Sequence, residues 1–194
     1  MPTWPLKDQA RVMGVDDGKY IRGSRWTPVV MTIMRLNGRI EGFLKGSITT
    51  DGVDSSLRIA NILEKSRFRQ QVRCIISDGA CLGGFNVLDM DDLYNRTGIP
   101  VLTASDERPD PPSMKATLRR IFKDADERYR LVSAHRAHRV ELPDGICYVR
   151  EKGISRERSS QIIKRATFQG RTPEPIRISH MVASLENLDR DING

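Results

Sequence analysis

Two apolar, strand-like runs joined by an Asn-Gly pair constrain the fold of this chain more than any other feature. The runs are Pro28 to Leu36 and Arg39 to Ile48, with Asn37-Gly38 between them. Asn-Gly accepts positive φ at both central positions of a tight turn and is the strongest short hairpin signal. An earlier apolar run, Arg11 to Val15, stops at the turn-like Asp16-Asp17-Gly18. Three strands are therefore predicted, the last two antiparallel.

Helical and strand-like segments then alternate along the chain. Apolar residues at helical spacing follow Asp54, and Asn86, with Asp89 three residues later, is predicted to cap a helix that ends near Gly98. Short apolar strands are predicted at Val72 to Ser77 and at Pro100 to Ala104. This order implies parallel strands joined by right-handed crossovers. The pattern predicts an α/β fold, a mixed sheet with an antiparallel meander, parallel strands and flanking helices.

The second half of the chain is predicted to contain three helices and a hairpin. The predicted segments are a helix from Ser113 to Ala134, a hairpin of Val140 to Leu142 and Ile146 to Val149, a helix from a Ser155 cap to Phe168, and a last helix opened by Pro173 and Pro175. No repeat or long linker divides the chain, so one domain over residues 1–194 is expected. This length is enough to bury a sizeable core.

Positive charge is concentrated in two segments of the second half. The chain has a net charge of +7 and a pI near 9.6, and residues 113–139 and 150–171 each carry +5, which leaves −3 elsewhere. An acidic site beside basic surfaces suits an anionic polymer such as nucleic acid. The alternative is a set of solvated helix faces. The candidate phosphate contacts are Arg119, Arg120, Lys123, Arg156, Arg158, Lys164 and Arg165.

Several functional classes find no support in the sequence. No apolar run approaches the roughly 18 residues of a membrane span, and the N-terminus lacks a signal-peptide core, so a cytoplasmic protein is expected. Three cysteines without a C-x-x-C pair predict free thiols. His135 and His138 lack partners at zinc-ligand spacing. No phosphate loop or dinucleotide fingerprint is present, so no nucleotide cofactor is expected.

Carboxylates at predicted strand ends are the strongest sign of chemistry. Asp16 ends the first strand and Asp78 ends the central parallel strand, where ligands collect in open α/β sheets. Two carboxylates there can share a divalent cation such as Mg²⁺. Asp51 or Asp54 is a candidate for a third ligand, and His180 would join from the last helix. Simpler roles stay open, namely a turn at Asp16, a helix cap at Asp54 and a packed histidine at His180.

Several segments resemble the endonuclease dU family, a divergent relative of endonuclease V. The segments that carry the resemblance are VMGVDDG at 12–18, ITTDGVDSSLRIANIL at 48–63, IISDGACLGGFNVLD at 75–89, IPVL at 99–102, and YVREKGISRERSSQIIKRATFQGRTPEPIRISHMVAS at 148–184. The resemblance covers almost the whole chain and implies an RNase H-like fold. It also implies a metal-dependent endonuclease that uses Mg²⁺ or Mn²⁺ and cuts nucleic acid, DNA rather than RNA, near a deaminated base such as deoxyuridine.

The resemblance also implies roles for individual residues. Asp16 and Asp78 take the places of metal carboxylates, Asp54 that of a third, with Asp51 as its alternative, and His180 that of the late site residue. Other segments depart from endonuclease V. LGGFN at 82–86 replaces a His-Pro-Arg run, the wedge motif is not visible, and residues 106–109 replace a lysine-containing segment. Two rival hypotheses follow, a non-catalytic nucleic-acid-binding module with the same fold and an RNA-directed nuclease.

Overall fold

Nine strands form the framework of the described part of the chain. A computed structural model describes residues 5–18 and 23–192, with side chains described as far as residue 185. The strands are β1 (Arg11–Asp17), β2 (Trp26–Arg35), β3 (Ile40–Thr49), β4 (Val72–Asp78), β5 (Cys81–Leu82), β6 (Asn86–Val87), β7 (Val101–Ser105), β8 (His138–Leu142) and β9 (Gly145–Lys152).

Seven of these strands form one mixed sheet, in the order β3-β2-β1-β4-β7-β9-β8. Strands β1, β2 and β3 pair antiparallel, whereas β4 runs parallel to both β1 and β7. Strand β9 pairs antiparallel with β7 and β8, and β5 and β6 form a separate small hairpin. The predicted antiparallel meander followed by parallel strands is confirmed, and the parallel pairing brings the carboxyl ends of β1, β4 and β7 to one edge.

Six helices flank the sheet, and one predicted helix is divided into two. The helices are α1 (Ser55–Glu64), α2 (Met90–Thr97), α3 (Pro111–Ile121), α4 (Ala125–Ser133), α5 (Arg156–Ala166) and α6 (Glu174–Ile192). The single helix predicted from Ser113 to Ala134 is wrong. Phe122 is extended, with φ of −118°, because its ring packs against Phe85 at 5.6 Å and under the Arg128 guanidinium at 4.2 Å. This long-range packing interrupts an otherwise continuous helical pattern.

The helix cap predicted at Asn86 is also wrong. Asp89 caps α2 instead, and its carboxylate accepts the Asp92 backbone N–H at 2.9 Å. Asn86 is completely buried in β6, where its side chain accepts the Ser55 N–H at 3.0 Å and donates to the Thr49 carbonyl at 2.8 Å. The Asn86 side chain therefore bonds residues that are distant in sequence and does not cap a helix.

Each face of the sheet is covered by its own pair of helices. Helices α1 and α2 cover one face, here called the α1 face, over a core that includes Met13, Val15 and Ile75. Helices α5 and α6 cover the other, here called the α6 face, over a core that includes Ile76 and Leu102. Since successive residues of a strand point to opposite faces, these cores assign the direction of each polar residue near the strand ends.

Helix α6 lies so close to β1 that the contact is between backbones. A Cβ placed on Gly14 would lie 2.2 Å from the carbonyl carbon of Pro175 and 2.6 Å from the nitrogen of Ile176. One turn along α6, the Ser179 hydroxyl donates to the Gly14 carbonyl oxygen at 3.1 Å and accepts the Thr32 N–H at 3.1 Å. The missing side chain at Gly14 and the small side chain at Ser179 thus set how α6 lies on the sheet.

Two further sequence predictions concern thiols and membrane spans. Cys74, Cys81 and Cys147 are free, as predicted, and Cys74 and Cys147 are buried. Among the helices within residues 5–18 and 23–192, none is long and apolar enough to cross a membrane.

Candidate active site

Asp16 and Asp78 lie side by side at the carboxyl ends of β1 and β4. The parallel register pairs Val15 with Ser77, so the following residues, Asp16 and Asp78, are neighbours on adjacent strands. Their neighbours Ile76 and Ala104 point into the core of the α6 face, which places both carboxylates on that face. The strand-end rule therefore predicted the pairing of these two acids correctly.

His180 of α6 completes this group. Its Nδ1 lies 2.9 Å from Oδ2 of Asp16, although 164 residues separate the two in sequence. The Asp16 side chain is 4% exposed, whereas that of His180 is 66% exposed and faces the outside of the site. The close docking of α6 at Gly14 and Ser179 is what brings this histidine to the strand ends.

Burial and mutual repulsion perturb both acids strongly. Burial, and then the nearby charge of Asp78, raise the pKa of Asp16 to about 8. Burial and the charge of Asp17 raise the pKa of Asp78 to about 6, against the pull of His180. Paired carboxylates with shifts of this kind are typical of functional sites, since a structural pair would be neutralised by a cation. The site is therefore poised to accept positive charge.

Asp17 is a member of the acidic group that the sequence did not single out. Its backbone N–H donates to Oδ1 of Asp16 at 2.8 Å, and its own carboxylate accepts the Gly83 N–H at 2.9 Å. Burial raises the pKa of this carboxyl too. The side chains of Asp16 and Asp17 are close enough to shift each other's pKa, and only the two consecutive acids in the sequence signalled Asp17.

Three carboxylates hold the β5–β6 hairpin in place. Asp17 binds the Gly83 N–H, Asp51 accepts the Phe85 N–H at 2.9 Å, and Asp54 accepts the Asn86 side-chain N–H at 2.8 Å. Asp51 adopts a left-handed φ of +55° and donates its own N–H to the Gly83 carbonyl at 2.8 Å. These acids come from two segments, the end of β1 and the connection between β3 and α1, and fix the loop that follows Asp78.

Asp54 is engaged by four donors around its own position. Besides Asn86, its carboxylate accepts the N–H and hydroxyl of Thr49, at 3.0 and 2.8 Å, and Nε of Arg58 at 3.1 Å. Burial raises the pKa of Asp54, but these hydrogen bonds reverse the effect and hold it below its usual value. Asp54 occupies the N-cap position of α1 without a capping hydrogen bond from its side chain. These hydrogen bonds tie Asp54 to the β5–β6 hairpin, the end of β3 and the first turn of α1.

Removal of the Asp54 carboxylate is expected to loosen this segment. Asp54→Ala leaves the Thr49 N–H and one of the two Asn86 side-chain N–H groups without an acceptor, and unsatisfied buried donors cost about 1–3 kcal/mol each. Asp54→Asn keeps one acceptor oxygen and should lower the free energy of unfolding less than Asp54→Ala. Chemical denaturation of both variants measures the difference. Equal stability of Asp54→Ala and wild type would show that the network contributes nothing.

The donors at the strand ends fit a hard divalent cation. Within the part of the chain that is described, no three His, Cys, Asp or Glu side chains form a group that could hold a metal ion. Mg²⁺ does not need one, because it uses one or two carboxylates and fills its other positions with water and substrate phosphate. Asp16 and Asp78 supply such a pair, and no described donor occupies the carboxylate of Asp78 by a hydrogen bond.

Thermal stability without a divalent ion is expected to fall as the pH rises from about 5 to about 9. The pKa values of Asp16 and Asp78, about 8 and 6, exceed the ordinary value of 3.8, so the folded state binds these protons more tightly than the unfolded chain. Their stabilisation is complete below about pH 4 and is lost as the pH passes 6 and then 8. Melting temperatures of wild type and Asp16→Asn, compared across this range, isolate the effect.

Addition of Mg²⁺ at high pH should recover the lost stability in the wild type, because a ligand that binds only the folded state stabilises it. Asp16→Asn should show a flatter pH profile and little response to the ion. Parallel profiles for the two proteins would contradict the assignment of the pH effect to this pair.

Acidic residues after β7 extend the group. Asp106 and Glu107 both help to raise the pKa of Asp78, after burial and Asp17, which places their charges near it. Asp106 is paired with Arg171, whose guanidinium lies 2.9 Å from its carboxylate. Arg171 comes from the segment between α5 and α6, so a cation borders the acidic site.

The sequence-predicted basic residues lie on two separate surfaces. Helix α4 packs against β6 on the α1 face and α3 packs on α4, whereas α5 packs on β8 and β9 on the α6 face. Arg119 is paired with Asp126, and Arg165 with Asp8. Arg120, Lys123, Arg156 and Lys164 are exposed, and Arg158 is half-buried. The structure thus offers two basic surfaces, one on each side of the sheet.

The strand order, the flanking helices and the acids at the ends of β1 and β4 together define an RNase H-like fold. The structure resembles that of Ciona intestinalis endonuclease V in complex with a 24mer DNA containing an inosine followed by a ribo-adenosine. The TM-score is 0.63 at 14% identity, over 93% of this chain and 86% of the other. At this identity the similarity shows the fold alone, and the predicted RNase H-like class is confirmed.

The family model of endonuclease dU matches residues 8–185, and the chain belongs to this family. A UPF0215 protein of Thermococcus gammatolerans is 36% identical over 184 residues, which cover 92% of this chain and 93% of the relative. The crystal structure of an Archaeoglobus fulgidus protein of unknown function is similar at a TM-score of 0.81 and 32% identity, over 91% and 97% of the two chains. Family and fold together support a nuclease function.

Proposed function

We propose that this protein is a metal-dependent endonuclease that hydrolyses phosphodiester bonds in nucleic acid, with residues 1–194 acting as a single endonuclease V-like domain. The observation that carries the proposal is the pair formed by buried Asp16 and half-buried Asp78 at adjacent strand ends, with His180 beside it. A bound cation strongly stabilises the charged form of two such acids, because burial and repulsion raise their pKa values in its absence. This pair lies where the fold collects its ligands.

Asp16 and Asp78 hold the ion, which is Mg²⁺ or Mn²⁺. A bound ion of this type supplies an activated water and neutralises charge that develops on the phosphate. His180 hydrogen-bonds Asp16 and is largely exposed, so it orients that carboxylate and reaches incoming water or substrate. Asp17 fixes the hairpin behind the site through Gly83. Asp54, predicted from the sequence as the third ligand, and its alternative Asp51 are assigned to holding this hairpin.

The substrate is DNA near a deaminated base such as deoxyuridine. The endonuclease dU family description supports this choice, as does the similarity to an endonuclease V bound to inosine-containing DNA. Backbone phosphates are held without sequence readout. The contacts are assigned to Arg119, Arg120 and Lys123 on one surface and to Arg156, Arg158, Lys164 and Arg165 on the other.

A cleavage panel tests the proposal directly. End-labelled single strands and duplexes with uracil, hypoxanthine or neither, and matched RNA, are incubated with protein and Mg²⁺, Mn²⁺ or EDTA. We expect cutting in the presence of either metal, none in EDTA, and the fastest cutting of uracil-containing DNA. Faster cutting of RNA would replace the substrate assignment by an RNA-directed nuclease. Salt-sensitive binding without any cutting would support the non-catalytic nucleic-acid-binding module instead.

A further inference from the structure

Three polar residues lie in one row across the sheet, directly below the acidic pair. The register pairs Ser77 of β4 with Thr103 of β7, and Thr103 with Arg150 of β9. Their strand neighbours Ile76, Leu102 and Val149 all belong to the core of the α6 face. Ser77, Thr103 and Arg150 therefore point to the α1 face, opposite to Asp78 and His180.

Arg150 carries a positive charge that the described part of the chain does not balance. Its Nε donates to the His135 carbonyl at 3.1 Å, and no described carboxylate lies within ion-pair distance of its guanidinium. Other cations on this face have such partners, as Arg128 pairs with Asp124 and Lys152 with Asp91. A half-buried and unpaired guanidinium is unfavourable unless an anion compensates it.

The two hydroxyls beside Arg150 are also without partners. Ser77 is completely buried and Thr103 is 1% exposed. Among the described residues, neither hydroxyl oxygen has a hydrogen-bond partner. Buried side-chain polar atoms are bonded in the large majority of cases, so each exception needs an explanation. One explanation covers all three residues, namely a polar ligand that both hydroxyls and the guanidinium can bind.

The β5–β6 hairpin borders this row and links it to the acidic group. Cys81 of β5 is half-buried, and this partial burial raises the pKa of its thiol to about 11. The charges of Arg150 and Asp17 also act on this thiol. Asp17 in turn holds the hairpin through Gly83. The row therefore lies close to the strand ends, behind the hairpin and on the side of the sheet away from α6.

We propose that Arg150, with Thr103 and Ser77, forms a binding site for a phosphate group between the sheet and the β5–β6 hairpin. The guanidinium retains four N–H donors besides Nε, in a planar arrangement that matches phosphate oxygens, and each hydroxyl can donate one more hydrogen bond. A phosphate also supplies the negative charge that Arg150 lacks. The phosphate comes either from a nucleic-acid chain or from a free phosphate ion. This binding does not depend on cleavage.

Binding measured in EDTA tests the site without any contribution from a divalent ion. The probes are inorganic phosphate and one DNA oligonucleotide with or without a 5′-phosphate, each titrated calorimetrically. Wild type is expected to bind at least one of these phosphate probes. Arg150→Gln is expected to weaken that binding at least about tenfold, and Thr103→Val severalfold. Arg139→Gln, an exposed arginine on the neighbouring strand β8, is the matched control and should bind like wild type.

The pattern of loss identifies the source of the phosphate. Loss of inorganic phosphate binding in Arg150→Gln assigns a free-ion site. Loss confined to the oligonucleotides assigns a site for the nucleic-acid chain. Equal binding of all probes by Arg150→Gln and wild type would overturn the proposal, as would a wild type that binds none of them.

A stability measurement separates this role from a purely structural one. If Arg150 only holds the His135 segment, Arg150→Met should lower the melting temperature. A ligand-binding arginine that is half-buried without a carboxylate partner should instead contribute nothing to the stability of the free protein, or lower it. Arg150→Met is therefore expected to melt at the wild-type temperature or above. Arg150→Lys keeps the charge and should recover part of the phosphate binding. A large loss of stability in Arg150→Met, with phosphate binding intact, would contradict the proposal.

Discussion

Asp78→Asn is expected to abolish metal-dependent cutting while leaving the fold intact. The substitution removes one of the two charges that hold the ion, and metal stabilisation of phosphoryl transfer is worth several kcal/mol. A loss of roughly 4 kcal/mol corresponds to about a thousandfold in rate. No described donor bonds the Asp78 carboxylate, so Asn breaks no contact and relieves repulsion with Asp17 and Asp16. Single-turnover rates on the best substrate measure the effect.

The control for this experiment is Glu141→Gln, which neutralises an exposed carboxylate on β8. It should cut at the wild-type rate. The metal-free melting temperature of Asp78→Asn should equal or exceed that of wild type at pH 8, which would show that the lost activity is not lost folding. Cutting by Asp78→Asn at the wild-type rate, after identical purification, would remove Asp78 from the site.

Gly14→Ala is expected to be among the most destabilising single substitutions in the chain. The new Cβ would lie 2.2 Å and 2.3 Å from the carbonyl carbon and oxygen of Pro175. Both partners are backbone, so either α6 or β1 must move, and overpacking of this kind costs at least about 3 kcal/mol. At roughly 2–4 °C per kcal/mol for a chain of this size, the melting temperature should fall by about 6 °C or more. Calorimetry measures it.

Gly46→Ala is the matched control for the helix contact. Gly46 lies in strand β3, and a Cβ there would meet only Cδ1 and Cγ1 of the flexible Ile62 side chain, the nearer at 2.4 Å. The side chain can rotate away, so the loss of stability should be much smaller. Similar melting temperatures for the two variants would show that the contact between Gly14 and α6 is not a rigid one. At permissive temperature, Gly14→Ala should also cut more slowly, because His180 moves with α6.

Local sequence patterns predicted the elements of this fold well, except where a distant contact overrides them. Asn37-Gly38 and the apolar runs beside it predicted the antiparallel strands, since turn chemistry and alternation are local. The break at Phe122 depends on the ring of Phe85 and the guanidinium of Arg128. Helical periodicity does not report a partner 37 residues away. Asn86 failed as a predicted cap for the same reason, because its partners Ser55 and Thr49 come from another segment.

The candidate site was predictable only in part. Asp16 and Asp78 followed from a general rule about strand ends, and the resemblance to the family implied that His180 reaches the site. The sequence correctly placed Asp54 at the junction between a strand and a helix, but it could not reveal the four donors that bond its carboxylate. Arg150 gave no signal at all. That Arg150 lacks a carboxylate partner can be recognised only from the structure, which shows where the carboxylates lie.

Because α6 packs on β1, the residues of the site come together in a defined order during synthesis. Asp16 lies on β1, which leaves the ribosome before β4, and His180 follows it by 164 residues, on α6. The sheet can form its acidic pair as soon as β4 is available. The histidine arrives only after α6 has settled against Gly14 and Thr32. A nascent chain is therefore expected to hold the acids without their histidine, so nearby nucleic acid meets the assembled group only once α6 is made.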